Sequence, residues 1–398
     1  MLEPPGKPIT SLYVHVPFCA QKCSYCAFFS EASSGDLINR YVSALIRELE
    51  LLAPDLRPGT VFFGGGTPSI LNLRQWEEIL SAMQRLNLLG SAEWTVECNP
   101  ATVSLDKAKL LKDSGVNRIS MGVQSLNEDL LNRLGRVHSR EMAFKSWDIL
   151  RRAGFNNLNL DLMFAIPGQT LDVWRDTLIE ATALQSEHIS SYEVIYEEDT
   201  PLFHQMKAGQ VDVNEDLACA MYEELVDHAT GAGLVQYEVA NFARDRSEAP
   251  TDLLTDRGWT VPLPSHACLH NVNYWRGGSF HGAGPSATSY VRGVRTKNCS
   301  NTTLYCEQLE QGRRAIESTE ILSPLARAGE TAAFGLRMPA GWPFEDFLRI
   351  TGHDLRDEWA SDLRELTSNG WGHIDERRFH LTRRGLRFAD AAAQLFLR

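Results

Sequence analysis

The chain has 398 residues, 43% of them apolar and 23% charged, with 51 acidic side chains against 39 basic ones and a formal net charge of −12. This balance suits a globular protein of two domains, or one large α/β domain with appendages, and disfavours unspecific attachment to nucleic acid or an anionic membrane. No apolar run approaches membrane-spanning length, and the opening MLEPPGKPIT lacks the charged head and apolar stretch of a signal peptide, so the expected compartment is the cytosol, where thiols stay reduced.

In chain order, SLYVHVPF (11–18), TVFFGG (60–65), WTVEC (94–98), RISMGV (118–123), NLNLDLMFA (157–165) and ISSYEVIY (189–196) are rich in β-branched and aromatic residues and flanked by turn residues, which predicts strands. Helical periodicity is found over 36–52, 73–86, 105–115, 140–154, 171–184 and 214–233, and Gly115 and Gly154 stop two of these segments. Six strand–helix units in a row predict a parallel sheet with helical crossovers. Six fall short of a closed eightfold barrel, so the expected fold is α/β, a partial (β/α)6 TIM-like barrel whose ligands gather at the C-terminal strand ends. Residues 1–243 make up this barrel. Residues 244–267 are polar, with three prolines and no apolar period, and are expected to form a long surface loop opening a 244–312 extension. Residues 313–398 carry three helical patterns, then GWGHIDERRFHLTRRG, expected as two short strands about a DERR turn in a smaller, mainly helical, winged-helix-like α+β appendage. The tail mixes acids with arginines and shows no basic helix face, which argues against nucleic acid as its partner.

CAQKCSYC (19–26) gathers Cys19, Cys23 and Cys26 at C-x3-C-x2-C spacing, just past the first strand. Close thiols in a reducing compartment suit zinc or an iron–sulfur cluster. A second C-x2-C pair, the usual complement for zinc, is missing, and His15 lies only four residues before Cys19. A 4Fe–4S cluster held by three thiolates keeps one iron open to a chelating amino group and carboxylate. GGGTPS (64–69), after the second strand, is not a P-loop, because no Gly-Lys-Ser/Thr follows. Its glycines permit close approach of a ligand to the backbone.

The trio is the signature of the radical S-adenosylmethionine proteins, and the chain resembles them. YVHVPFC, GGGTPS, VECNP, SMGVQS, LDLMFAIPGQT and YEVANFA follow in the order found in the oxygen-independent coproporphyrinogen III oxidase group. The resemblance implies a barrel of the radical SAM type, a 4Fe–4S cluster on Cys19, Cys23 and Cys26, and S-adenosylmethionine held by Tyr13, Gly65, Gly66, Thr67, Glu97, Gln124, Arg136, Asp161 and Ile195. Glu97 and Asp161 end strands, where carboxylates can bond ribose hydroxyls, Gln124 offers an amide, and Arg136 can pair a carboxylate.

The decarboxylating branch of that group continues its motif with a further cysteine where this chain has Phe28, and carries an N-terminal arm for which the first strand, beginning at about Ser11, leaves no room. CLHNVNYW (268–275) instead resembles the C-x-H-N-x-x-Y-W of the heme chaperone branch, HemW. That resemblance implies heme as a further ligand, with His270 as axial ligand, Tyr274 and Trp275 against the porphyrin and Cys268 as a second soft ligand. The expected function is to pass heme to an acceptor protein, any membrane contact running through that acceptor. Two roles for the cluster stay open, redox-dependent heme release and stabilisation of a homodimer. The competing readings are a coproporphyrinogen III oxidase or other porphyrin-modifying radical enzyme or methyltransferase, and a zinc-stabilised β-α protein.

Overall fold

The computed structural model describes residues 6–32, 35–246, 251–252 and 262–397. The six expected strands are β1 (Ile9–Val16), β2 (Leu56–Gly65), β3 (Glu93–Cys98), β4 (Arg118–Gln124), β5 (Leu158–Phe164) and β6 (His188–Glu193), each parallel to the next. The crossovers carry α1 (Gly35–Leu52), α2 (Leu73–Arg85), α3 (Leu105–Asp113), α4 (Arg140–Arg152) and α5 (Leu171–Ala183), and α6 (Glu215–Gly231) follows β6. Ser104, Ser139 and Thr170 each accept the backbone N–H three residues on, satisfying amides that the first turns of α3, α4 and α5 leave unpaired. One face of each strand feeds the core beneath these helices, as with Leu12 and Val14 of β1, Val61 and Phe63 of β2, and Trp94 and Val96 of β3, all fully buried.

The sheet is longer than the six predicted strands. β7 (Leu234–Glu238) and β8 (Asn241–Arg244) add an antiparallel hairpin beyond β6, and β9 (His281–Ala283) lies parallel to β1 on the opposite edge. The nine-stranded order is β9-β1-β2-β3-β4-β5-β6-β8-β7. Between β8 and β9 runs a short helix, α7 (Leu269–Trp275), which holds the heme-chaperone motif. β9 lies flush against its neighbours because Gly284, at φ +101°, has no Cβ; one built there would sit 2.3 Å from the His15 carbonyl oxygen. Glu48 of α1, fully buried, fastens this returning segment by accepting from Gly284 N (2.8 Å), Asn298 Nδ2 (2.8 Å) and the Tyr305 hydroxyl (2.7 Å).

Most of the expected 244–267 loop lies outside the described residues. Its described parts include Thr251–Asp252 paired antiparallel with Pro262–Leu263. The C-terminal region has its own core around Trp342, Phe347, Trp359, Phe379 and Phe396. Helices Pro324–Gly335, Phe344–Thr351 and Ala360–Ser368 pack with a three-stranded antiparallel sheet of Trp342–Pro343, Arg378–Leu381 and Gly372–Ile374. Asp375 forms the DERR turn by accepting from the amides of Arg377 (2.7 Å) and Arg378 (2.9 Å). Among the described residues no helix is long and apolar enough to cross a membrane.

Candidate functional site

The inward faces of the strands are polar. Glu93, Thr95 and Glu97 alternate along β3, Arg118 and Ser120 along β4, Asn159 and Asp161 along β5, and His188 and Ser190 along β6. Register sets Glu97 beside Ser120, Ser120 beside Asn159 and Asn159 beside His188. A strand has a side-chain period of two, so each places its later residues at one mouth of the barrel and its first residues at the other.

The first mouth opens into a cavity of ≈ 480 Å³ at the C-terminal strand ends. Cys19, Cys23, Cys26, Gly65, Gly66, Thr67, Glu97, Gln124, Arg136, Asp161 and Ile195 all line it. Sequences more than 170 residues apart thus converge there, as the strand-end rule for such barrels requires. The cysteine loop is clamped on several sides. Ser24 N donates to Leu134 O (3.0 Å), Ser24 Oγ to Arg133 O (3.0 Å), and Leu202 N to Ser24 O (2.9 Å). His15 Nε2 holds Phe29 O at 2.9 Å.

The three thiols are free and partly exposed. Thr67 Oγ1 lies 3.6 Å from Cys19 Sγ, and Arg136 Nη1 donates to Cys23 Sγ at 3.6 Å. Hydrogen-bond donors around sulfur are what iron-bound thiolates call for. Among the described residues no group of three or more His, Cys, Asp or Glu side chains converges to hold a single ion. Arg136 is turned to the Cys23 sulfur and to Gly122 O rather than to a carboxylate.

The glycines also serve packing. A Cβ on Gly66 would sit 2.7 Å from Phe18 O and one on Gly65 2.5 Å from the His15 ring, so their bareness first serves packing against the cysteine loop's own strand. The amides of Gly65, Gly66 and Thr67 are taken by Glu97 Oε2 (3.2 Å), Val16 O (2.8 Å) and Phe18 O (2.8 Å). Toward a ligand the loop therefore offers carbonyl oxygens, the polarity an ammonium group needs. Gln124 takes φ +65° at a bulge where β4 slips against β5, which re-aims its side chain over Gly122. Burial and the nearby Asp161 charge push the Glu97 carboxyl up to about 8, and burial also raises Asp161. Tyr13 does not line the cavity; its hydroxyl is 3.0 Å from His15 Nδ1, so it steadies the histidine that holds Phe29. The lining also includes Tyr25, Ser120 and Tyr192, which sequence reasoning passed over, and a rim of exposed Phe28 (70%) and Ile195 (63%).

The other mouth is closed by α7. Glu93, the first residue of β3, accepts from Leu269 N (2.8 Å), His270 N (3.0 Å) and Cys268 Sγ (3.5 Å), a buried carboxylate at a helix N-terminus. His270 is fully buried and both ring nitrogens are engaged, Nδ1 with Thr60 Oγ1 (3.0 Å) and Nε2 with the Tyr274 hydroxyl (2.7 Å), while its ring stacks on Phe62 at 5.3 Å. Burial, with the Arg118 charge adding to it, pushes the imidazole down to about 3, and burial pushes the Cys268 thiol up to about 12. Tyr274 packs edge-on to Phe280 (4.3 Å) and Trp275 against Tyr237 (6.0 Å). The motif residues thus lie together, yet at the far end of the barrel from the cysteines, and in this arrangement His270 and Cys268 are not open to iron. His270, expected from its motif as an axial ligand, is carried by the helix that forms the barrel's floor.

A partial barrel with three thiols at its strand ends defines a radical SAM protein, and residues 13–181 match the Radical SAM superfamily while residues 322–388 match the HemN C-terminal domain. Heme chaperone HemW of Lactococcus lactis is 32% identical over 100% of this chain and 98% of its own length, and that of Escherichia coli is 32% identical over 98% of each. The chain belongs to the HemW family. The solved structure of Escherichia coli coproporphyrinogen III oxidase (HemN), 22% identical, matches with a TM-score of 0.81 over 98% of this chain and 90% of that one, which shows the shared fold.

Proposed function

We propose that this protein binds a 4Fe–4S cluster through Cys19, Cys23 and Cys26, S-adenosylmethionine in the adjoining cavity, and heme, which it passes to an acceptor protein in the cytosol. The observation that carries the first half is the cavity itself, with three free thiols on one wall and Glu97 and Asp161 at its base. Gly65 and Gly66 supply carbonyls for an ammonium, Thr67 steadies Cys19, Gln124 supplies an amide, and Ile195 covers one edge. Tyr13 acts from behind through His15. The heme half is supported by the names of the relatives and by Phe28 standing where the decarboxylating branch has a further cysteine. The reading keeps a barrel of 1–243, an extension of 244–312 and a C-terminal domain of 313–398, and gives the cluster redox-dependent heme release or homodimer stabilisation as its role.

On this reading heme capture through His270, Tyr274 and Trp275 is an opening of the floor, because the imidazole must first leave Thr60 and Tyr274. Hemin titrated into anaerobically reconstituted protein is expected to give a sharp Soret band that forms slowly, at a rate set by the opening and independent of hemin concentration at high excess. His270→Ala is expected to broaden and weaken that band. An unchanged spectrum in that variant removes His270 as the ligand, and no Soret band in the wild type ends the heme reading.

Glu97 sets a pH dependence. Its carboxyl is protonated near neutrality in the free cavity, whereas a sulfonium and ribose hydroxyl donors favour the carboxylate. Binding then releases a proton below about pH 8, so S-adenosylmethionine affinity is expected to rise between pH 6 and 8, by up to about tenfold per unit, and level off above. Glu97→Gln is expected to flatten the profile; a flat wild-type profile by calorimetry contradicts the assignment.

A further inference from the structure

A chain of buried hydrogen bonds joins the two mouths, with one branch where Ser190 Oγ also donates to Asn159 Oδ1 (3.2 Å). Asn159 Nδ2 donates to Asp161 Oδ1 (2.8 Å) and to Ser120 Oγ (2.7 Å), and Ser120 Oγ donates to Asp161 Oδ2 (2.9 Å). This turns Asn159 Oδ1 to His188, whose Nδ1 lies 2.6 Å away and so carries the proton. His188 Nε2 then accepts from the Tyr237 hydroxyl (2.7 Å), and the Tyr237 oxygen accepts from Cys268 N (2.9 Å), the N-cap of α7. Ser120, Asn159, His188, Tyr237 and Cys268 are all buried, so no water competes. The donors all point one way, from the floor helix to the cavity carboxylate.

We infer that Tyr237 and His188 are positioning residues that couple the cavity to the floor, so that a cationic nucleoside bound at Asp161 locks α7 in its seat. A chain of aligned donors strengthens cooperatively as charge on its terminal acceptor grows, and a cation beside Asp161 holds that carboxylate ionised. The gain reaches Cys268 N, where α7 begins. By linkage a ligand that needs the floor open is weakened by the nucleoside, and the nucleoside by it, to the same degree. The inference rests on the function proposed above only for what enters the cavity.

The test is amide hydrogen exchange on the reconstituted holoprotein, with and without saturating S-adenosylmethionine. The peptide covering 266–275 is expected to exchange at least tenfold more slowly with ligand, beyond any slowing in the 302–310 helix, which reports general stabilisation. Tyr237→Phe keeps the ring and removes the link, and is expected to bind ligand yet lose the extra protection; His188→Leu, a break elsewhere in the chain, is expected to do the same. Equal slowing in both peptides of the wild type, or extra protection that survives either variant, overturns the inference, as does a holoprotein that takes up no S-adenosylmethionine. Hemin titration of the same samples scores the heme reading separately, since the exchange result needs no heme.

Discussion

Cys23→Ala is expected to bring the iron and acid-labile sulfide of anaerobically reconstituted protein to background, and to lower S-adenosylmethionine affinity by on the order of a hundredfold or more. The middle thiol of the trio receives the Arg136 guanidinium, so its loss removes a ligand and leaves that cation facing an empty corner. On the proposed reading the ligand's amino group and carboxylate would bind the open iron, and without the cluster only contacts to Glu97, Asp161 and the glycine loop would remain. Cys23 is only half-buried, so the cost to folding is expected to stay within about 1 kcal/mol, and the melting temperature of the cluster-free protein should match that of wild-type apoprotein. A variant that keeps its iron and sulfide sinks the assignment of the trio.

Glu93→Ala is expected to produce the largest loss of stability, roughly 3–5 kcal/mol. Two backbone amides of α7 would lose their acceptor, and the buried Arg118 guanidinium would lose the carboxylate that faces it. For a chain of this size the melting temperature should fall by about 5 °C. If heme enters through the floor, the same variant should take up hemin faster than wild type while its 4Fe–4S absorbance is unchanged, because Glu93 sits at the opposite mouth from the cysteines. Unaltered melting would mean that α7 is not seated by Glu93.

The barrel was legible because its strands and crossover helices announce themselves locally. Apolar runs between turn residues predicted β1 to β6 to within four residues at every end, and Gly115 and Gly154 do turn the chain after α3 and α4 at φ +102° and +90°. The cysteine loop and strand-end carboxylates were legible for a different reason, since the spacing of Cys19, Cys23 and Cys26 and the position of Glu97 and Asp161 at strand ends are properties of short segments. The rest depends on partners far away in sequence. LHNVNYW has no apolar period that marks it as a plug, and its capping carboxylate, Glu93, lies more than 170 residues earlier. The polar alternation Glu93, Thr95, Glu97 is the signal of a polar barrel interior, and it runs into WTVEC, whose composition otherwise marks an ordinary strand. Tyr13 was placed in the cavity by its motif, whereas the hydroxyl's nearest acceptor is His15. β9 is three residues long, too short to show any period.

β9 also bears on biogenesis. Until residue 281 has left the ribosome, β1, which leads directly into the cysteine loop, lacks one of its two neighbours. At translation rates of about 5–20 residues per second, the roughly 265 residues between them take on the order of 10–50 s to synthesise. An unpaired strand edge invites aberrant pairing, so the nascent chain passes through an aggregation-prone interval with the cysteine loop already exposed, and on the proposed reading chaperone engagement and iron–sulfur delivery compete for the same stretch of time.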